Sequence, residues 1–600
     1  MEVSEDEKGE ESESFNVSLT NFFRQLSWQD WAFITFLFLS QIYVTSIVAR
    51  MNWLPGPLYG GDIFFHFGNI MHLYNGGSIF KSSHYLNEWQ HYPWLCYLLV
   101  WLFIKLFTID PLRADILFPI IIFSASLIVN YILGEKVFKQ KDIALLFTIA
   151  SASLPTTTPT SLSSFVLLPL MLLTFFLLFK KEFNAKSSLI AGIIYGIMGI
   201  GHVAAFLSIN LLMVLMLAVE LISGRTRGNI LKKYVLAFAV GIPIALLYWA
   251  PLIVFYHGKT LNPWQEYAFY GVQGEGKYIS ETLKNTFIDL SSIPQTIISA
   301  LVMFTIVWFI IKRKINWPLL LVFLTGFIGL THPYITMPLL HTSFGYYGFA
   351  PVLSLFRMLM AFYALSIIYN YAEKSKILLG ALAIFFLTLF ILNLNQSLKS
   401  QSNTLAMAQL SDLQKGQLEM AYYVRSVVLN NETILTPHEE TSFAINALTG
   451  KKVVFMRRTH ASPFVNFDQR AADAAVIMYG NNSALKMELI KKYNVRYFYY
   501  DYFTITNSKS CLQMWENFSN PAYWELSYSC MRVLPQYEEY LKENGIETKK
   551  VYARLDIAFQ DAPRTELVII KPGPINLPTK LLKNWSYANF TYYAFYKLEW

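Results

Sequence analysis

The segment Gly60-Gly61-Asp62-Ile63-Phe64-Phe65-His66 carries two side chains that are suited to proton transfer. Asp62 and His66 are four residues apart, so a helix at this position places both on one face. The two glycines allow the backbone to turn sharply before them. The simpler alternative is a helix N-terminus, where an acidic residue in the first turn is common. The spacing therefore marks a candidate site whose role depends on the rest of the chain.

The composition is that of a polytopic membrane protein. The 600 residues are 54% hydrophobic and only 15% charged, and the mean hydropathy is +0.36, whereas soluble domains carry about 25% charged residues. The net charge is +8, but the basic residues lie largely in short connections. This distribution of basic residues indicates the orientation of the chain in the membrane and does not indicate binding of nucleic acid. Residues 1–28, which are strongly acidic at the start, are predicted to form a cytoplasmic tail.

Apolar runs predict about eleven membrane-spanning helices, since a span needs about 20 residues. The predicted spans cover residues 29–49, 113–133, 142–156, 162–179, 187–203, 204–222, 233–256, 292–311, 317–331, 350–371 and 376–394. The run 94–107 is predicted to lie along the interface, because five basic clusters then share the cytoplasmic side. The amino terminus is accordingly expected in the cytoplasm, and the loop 50–93, called the first loop here, on the outer face.

The same topology places residues 395–600 outside the cell membrane. Asn-X-Ser/Thr sequons support this, at Asn395, Asn431, Asn481, Asn517, Asn584 and Asn589. Cys511 and Cys530 are predicted to form a disulfide there, the alternative being two buried thiols. A helix at Ser483–Tyr493 followed by a strand at Val495–Tyr500 indicates a mixed α/β domain. The predicted fold class is a polytopic α-helical membrane protein, with the transmembrane domain at 29–394, plus a C-terminal mixed α/β soluble domain.

Other polar residues are predicted on the outer side. Glu266 lies in a loop at 257–290, His202 lies between two spans, and His332 follows another span. Their alternatives are solvated loop residues and helix caps. Arg357 lies seven residues into an apolar helix, where a charge is costly and usually faces a partner or cavity. Its alternative is snorkelling to the interface, and a guanidinium there suits a lipid-linked phosphate.

Several motif classes are missing from the sequence. It has no Walker A loop, no HExxH, no paired CxxC and no GxSxG. No nucleotide or metal site is predicted from these motifs. An energy source other than ATP, such as an activated substrate, is therefore expected.

A first span, then Gly60-Gly61-Asp62 with His66, then His91-Tyr92-Pro93 opening a juxtamembrane apolar helix, resembles the GT-C superfamily of glycosyltransferases. Archaeal multi-pass members with an external α/β tail are similar in layout. The resemblance implies that Asp62 is the catalytic acid or metal ligand of the first loop. It also implies that Arg357 holds the phosphate of the donor and that Glu266 contacts substrate.

Two features depart from the oligosaccharyltransferases of that superfamily. The second outer loop, 156–160, has no acidic residue, although those enzymes place metal ligands there. Their Trp-Trp-Asp-Tyr-Gly motif is only partly matched by Tyr499-Tyr500-Asp501-Tyr502-Phe503. Both departures weigh against oligosaccharide transfer to protein, and a divalent metal is compatible with the resemblance without support from the residues.

The sequence thus predicts an inverting glycosyltransferase of the cell membrane. Its partners would be a polyprenyl-phosphate sugar donor and a glycan, lipid or protein acceptor, with no nucleic acid. Asp62 is predicted as the general base, with His66 orienting it or sharing its proton, and Arg357, Glu266, His332 and His202 as substrate-binding residues. The alternatives are an oligosaccharyltransferase-like enzyme, a transporter or flippase, and a non-catalytic assembly protein.

Overall fold

The structure is a computed structural model that describes residues 28–51, 61–152, 162–179, 183–222, 227–258, 261, 274–313, 316–340, 346–372, 375–408, 411–555 and 564–600. Glu266 and the loop 156–160 lie outside these ranges. The chain is a multi-pass α-helical membrane protein followed by a mixed α/β domain (residues 411–600), called the C-terminal domain here.

Within the described ranges, eight helices contain a segment long and apolar enough to cross a membrane. They are α1 (Trp28–Val48), α4 (Pro111–Phe138), α8 (Val203–Ile222), α9 (Arg227–Tyr256), α11 (Ile293–Lys312), α14 (Ala350–Tyr371), α15 (Lys376–Met407) and the segment Trp317–Thr336, in which α12 (Trp317–Thr331) continues into the following short helix. Local polar residues fix where several of them begin. Asp110, Ser292 and Asn316 accept hydrogen bonds from the first free backbone N–H groups of their helices.

The other three predicted spans are helical but shorter than 18 residues. They are α5 (Lys141–Ser151), the π-helical turn Ser163–Leu167 continued by α6 (Leu168–Leu178), and α7 (Ala185–Gly201). The run 94–107 forms α3 (Leu95–Phe107), whose 13 residues extend about 20 Å. The last predicted span, 376–394, lies within α15, which continues to Met407 through a polar segment. Hydropathy marks the apolar part of such a helix and misses its polar extension.

The remaining helices lie in the connections and in the C-terminal domain. They are α2 (Gly61–Tyr74), α10 (Gly274–Phe287), α13 (Pro333–Leu340), α16 (Asp412–Val427), α17 (Glu439–Thr449), α18 (Phe467–Tyr479), α19 (Ser483–Tyr493), α20 (Tyr502–Glu516) and α21 (Glu538–Glu543). The bounds predicted for α19 are confirmed. Asn482 caps its start, and Asn494 ends it in the left-handed conformation, so both signals are local.

The C-terminal domain contains a five-stranded and a three-stranded sheet. The strands are β1 (Thr433–Leu435), β2 (Lys452–Val453), β3 (Val495–Tyr500), β4 (Met531–Val533), β5 (Thr548–Arg554), β6 (Arg564–Ile570), β7 (Thr579–Tyr587) and β8 (Phe590–Leu598). The larger sheet has the order β2-β1-β3-β8-β7, in which β2, β1 and β3 are parallel. Cys511 and Cys530 are joined by a disulfide between α20 and the start of β4.

The first loop packs into the core of the C-terminal domain. Phe64, Phe65, Phe67 and Met71 of α2 are buried in the same apolar cluster as the strands and helices of that domain. The backbones approach closely at Gly68, where an added Cβ would lie 2.8 Å from Asn446 Oδ1. This contact could not be predicted from local sequence patterns, because α2 and α17 are far apart in the chain.

Hydrogen bonds hold the rest of the first loop against the same domain. Asn446 donates to the Ser83 carbonyl at 2.9 Å, and Lys452 donates to the Ser82 carbonyl at 2.7 Å. Both donors are buried. Because an unpaired buried amide or ammonium group is costly, these contacts fix one arrangement of the loop on the domain.

Candidate active site

Asp62 lies in the first turn of α2, where the partial positive charge of the helix N-terminus favours a carboxylate. Its side chain is 77% exposed, and its Oδ1 accepts a hydrogen bond from His460 Nε2 at 3.2 Å. That hydrogen bond is the main cause that lowers the pKa of Asp62 below its usual value, and the positive charge of Arg457 acts in the same direction. Asp62 is therefore an ionised, accessible carboxylate that is held from one side only.

His460 reaches Asp62 from the C-terminal domain. It ends the 3-10 turn Arg458–His460, which follows the carboxyl end of the parallel strand β2. Its ring lies against Phe443 and Phe65, with centroid distances of 4.8 and 5.8 Å, and its side chain is 12% exposed. Thr459 Oγ1 lies 3.1 Å from His460 Nδ1. The ring is therefore fixed by packing and by polar contacts at both nitrogens.

Two buried ion pairs fix the residues before His460. Arg457 makes a bidentate contact with Glu440 and lies 4.5 Å above the Phe443 ring. Arg458 makes a bidentate contact with Asp468 at 2.7 and 2.6 Å. Planar guanidinium–carboxylate pairs constrain orientation as well as distance, so the turn that carries His460 has little freedom to move.

His66 is on the same face of α2 as Asp62, as predicted, but it is buried and contacts another group. Its Nδ1 lies 2.7 Å from the hydroxyl of Tyr97. Burial lowers the pKa of His66 to about 4, so the ring is neutral at pH 7. The orienting contact to Asp62 that was predicted for His66 is made by His460 instead, because the C-terminal domain covers the open side of α2.

Aromatic side chains connect this site to the helices of the membrane domain. The ring of Tyr92 lies 5.2 Å from that of His66 and 6.1 Å from that of His202. His202 follows α7 and precedes α8. The structure thus brings together Asp62, His66 and His202 among the predicted residues, and adds Tyr92 and His460.

Arg357 is engaged in a separate polar cluster. Its Nη1 lies 3.3 Å from Asp289 Oδ2, and its Nη2 donates at 3.0 Å to Ser299 Oγ and to the Gln295 carbonyl. A charge in a membrane helix is costly, so a partner is expected for Arg357. That partner is Asp289, which precedes α11. An incoming phosphate would have to share the guanidinium with this carboxylate.

An apolar cavity of about 450 Å³ adjoins the Arg357 cluster. It lies between α11, α12 and α14, and its lining includes Ile306, Phe323 and Met360. Phe287 and Phe356, which also line it, are sequence neighbours of the Asp289–Arg357 pair. The charged Arg357–Asp289 pair and the apolar cavity are thus adjacent along the chain.

His332 caps the end of α12, and its Nδ1 lies 2.5 Å from the Gly329 carbonyl. His332 thus occupies a helix-cap position, the alternative role considered for it from the sequence. In the part of the chain that the structure describes, no group of three His, Cys, Asp or Glu side chains is placed to hold a metal ion. Among the described neighbours of Asp62, His460 is of a residue type that binds metal ions, whereas Arg457 is a cation and supplies no ligand atom.

His460 is the residue that the sequence interpretation missed. The available signal was its position shortly after the strand β2, because side chains that follow parallel strands gather at one edge of a sheet. The sequence did not show that β2 pairs in parallel with β1, nor that this edge faces Asp62.

No family model matches the chain. An uncharacterized protein of Methanocaldococcus jannaschii is 27% identical over 99 residues, which are 16% of this chain and 73% of that protein. Among solved structures, the chain is similar to the Archaeoglobus fulgidus oligosaccharyltransferase in complex with an inhibitory peptide and a dolichol-phosphate. That match has 12% identity and a TM-score of 0.48, and it covers 83% of this chain and 73% of the other.

Two bacterial structures are also similar. ArnT from Cupriavidus metallidurans matches at 10% identity and a TM-score of 0.43, over 90% of this chain and 98% of its own. The mycobacterial arabinofuranosyltransferase AftD matches at 12% identity and a TM-score of 0.42, over 91% and 40%. Because each TM-score is below 0.5, function has to be inferred from this chain's own residues. The solved structures that the chain resembles are membrane glycosyltransferases of the GT-C superfamily.

Proposed function

We propose that the chain is an inverting glycosyltransferase that moves a sugar from a polyprenyl-phosphate donor to a hydroxyl acceptor on the outer face of the cell membrane. The observation that carries the proposal is the Asp62 carboxylate, which is ionised, exposed and fixed by His460 at the junction of the membrane helices and the C-terminal domain. A general base needs these three properties. The GT-C resemblance of the first-loop residues gives the same role to Asp62.

In the proposed reaction, the free Oδ2 of Asp62 takes the proton of the acceptor hydroxyl. The acceptor oxygen forms a bond to the anomeric carbon while the bond from that carbon to the phosphate oxygen breaks on the opposite face. The electron pair of the broken bond leaves with the lipid phosphate.

The donor site that fits this reaction combines Arg357 with the adjacent apolar cavity. A guanidinium neutralises charge on the departing phosphate, which is usually the largest electrostatic contribution to such a transfer. The cavity is lined mainly by aliphatic and aromatic side chains, together with Arg313 and Asn316, and its apolar part suits a polyprenyl chain. Asp289 would keep Arg357 oriented before the donor arrives.

The test is the substitution Asp62→Asn in purified protein that is reconstituted with polyprenyl-phosphate sugars. Asparagine keeps the shape but removes the basic oxygen, so sugar transfer should fall roughly 10²- to 10⁴-fold while donor binding changes little. Asp412→Asn is a matched control, because Asp412 is a half-exposed surface acid paired with Lys415. Equal yield and monodispersity of the variants exclude a folding defect.

Transfer by the Asp62→Asn protein at the parent rate would refute the base assignment. If the parent protein transfers no sugar from any lipid-linked donor, the transporter and assembly alternatives become the better explanations. If it transfers only oligosaccharides to peptides, the oligosaccharyltransferase alternative is correct.

A further inference from the structure

His460 and Asp62 are 398 residues apart in sequence, and they meet across the junction of the first loop and the C-terminal domain. Asp62 is 77% exposed, so without a partner its carboxylate would rotate freely among side-chain rotamers. The described residues provide no other hydrogen-bond partner for the Asp62 side chain. One contact, from another domain, therefore sets the orientation of the proposed base.

The turn that carries His460 is held more firmly than a surface loop usually is. Arg457 and Arg458 are 4% and 3% exposed, and each is paired with a buried carboxylate. Buried ion pairs contribute little net stability, because desolvation offsets their attraction, but they specify geometry when they are fully paired. Two of them in consecutive residues indicate that the position of residue 460 matters.

The helix that carries Asp62 is shaped to receive this turn. A Cβ atom added at Gly61 would lie 2.9 Å from Arg457 Nη1 and 3.0 Å from His460 Cε1. Any residue other than glycine would therefore crowd the turn. The glycine before Asp62 allows a close approach of the C-terminal domain, in addition to the backbone turn that the sequence indicated.

We propose that His460 is the positioning residue of the Asp62 base, so that the catalytic centre is complete only when the C-terminal domain is docked on α2. His460 donates from Nε2 to Asp62 Oδ1, and its Nδ1 accepts from the Thr459 hydroxyl. This arrangement leaves Oδ2 of Asp62 for the proton of the acceptor. The inference rests on the proposed function, since it concerns how the proposed base is held.

The first test compares His460→Ala with His460→Gln in the full-length protein. Glutamine can donate one hydrogen bond from a similar distance but does not titrate. We expect alanine to lower kcat roughly 10- to 100-fold, as small misplacements of a catalytic group do, and glutamine to retain most of it. The KM for the donor should stay unchanged in both, because the donor contacts other residues.

The pH profile separates positioning from a general loss of structure. The hydrogen bond from His460 lowers the pKa of Asp62, so its removal raises that pKa. The acidic limb of kcat/KM should therefore move to higher pH in His460→Ala. The control is His72→Gln, since His72 is another buried histidine, in the last turn of α2 and away from Asp62, and it should leave the limb in place.

A double-mutant cycle completes the test. If His460 acts through Asp62, His460→Ala should change the residual rate of the Asp62→Asn protein less than threefold, because coupled residues are not additive. The inference is overturned if His460→Ala transfers sugar at the parent rate, if its effect is equally large beside Asp62→Asn, or if the limb does not move. An Asp62→Asn protein at the parent rate would instead refute the proposed function, so the two failures are distinguishable.

Discussion

The substitution Gly61→Ala is expected to slow sugar transfer while leaving the fold intact. The added methyl group would lie 2.9 Å from Arg457 Nη1 and 3.0 Å from His460 Cε1, whereas ordinary contacts of carbon atoms are about 3.5–4.0 Å. The side chains of Arg457 and His460 must therefore move by roughly 0.5–1 Å. The His460–Asp62 hydrogen bond, at 3.2 Å, would then exceed about 3.5 Å and be lost.

The expected size of the effect follows from the value of that bond. A hydrogen bond to a charged group contributes about 1.5–3 kcal/mol, which corresponds to roughly 10- to 100-fold in rate. Because Asp62 is largely exposed, water replaces part of the contact, so a loss of about 10-fold in kcat/KM is expected. Because Gly61 is the first residue of α2, alanine gains no interior helix propensity there, and since only two side-chain ends are crowded, Tm should fall by no more than a few degrees.

The assay measures transfer from a polyprenyl-phosphate sugar together with thermal unfolding of the same preparation. Gly380→Ala is the matched control, because Gly380 lies in α15 and no atom lies within 4 Å of an added Cβ. That variant should keep the parent rate. If Gly61→Ala also keeps it, the close approach of His460 to Asp62 does not support catalysis, and the reasoning is wrong.

Two further predictions concern the donor site and the response to acid. Leu320→Trp, which fills the cavity between α11, α12 and α14, should raise the KM for the donor several-fold with little change in kcat. The control Leu392→Trp, on the exposed side of α15, should leave the KM unchanged. An unchanged KM in Leu320→Trp would exclude this cavity as the donor site. Burial lowers the pKa of His66, His72 and His438 to about 4, so the unfolded chain binds more protons below about pH 6.5 and stability should fall as the pH drops from there to about 4. Thermal unfolding across this range measures it, and His72→Gln should reduce the slope; a flat profile would contradict it.

The sequence was sufficient for features that depend on neighbours in the chain. The strand Val495–Tyr500 and the helix Ser483–Tyr493 are confirmed, because a short, largely apolar run and flanking asparagines determine them locally. The apolar runs are likewise all helical where the structure describes them. The sequence predicted that Arg357 has a partner, because a buried charge without one is costly. It did not identify Asp289 as that partner.

The contacts that complete the candidate site were beyond the sequence for a physical reason. His460 reaches Asp62 only after β2 pairs with β1 in parallel and α2 packs on α17, and neither event leaves a local pattern. His66 illustrates the opposite case. Its spacing from Asp62 was interpreted correctly as helical. Its hydrogen-bond contact, however, is to the Tyr97 hydroxyl and not to Asp62.

The shared core of the first loop and the C-terminal domain has a consequence for how the proposed site assembles. Phe64, Phe65, Phe67 and Met71 are buried among residues of the C-terminal domain, and removing that domain would expose all four. Burial of one such side chain contributes about 1.5–3 kcal/mol, so α2 would lose several kcal/mol of stabilisation. The helix that presents Asp62 is therefore held in place by the same domain that supplies His460. The position and the orientation of the proposed base would then depend on a single docking event, which brings together two residues that are 398 positions apart.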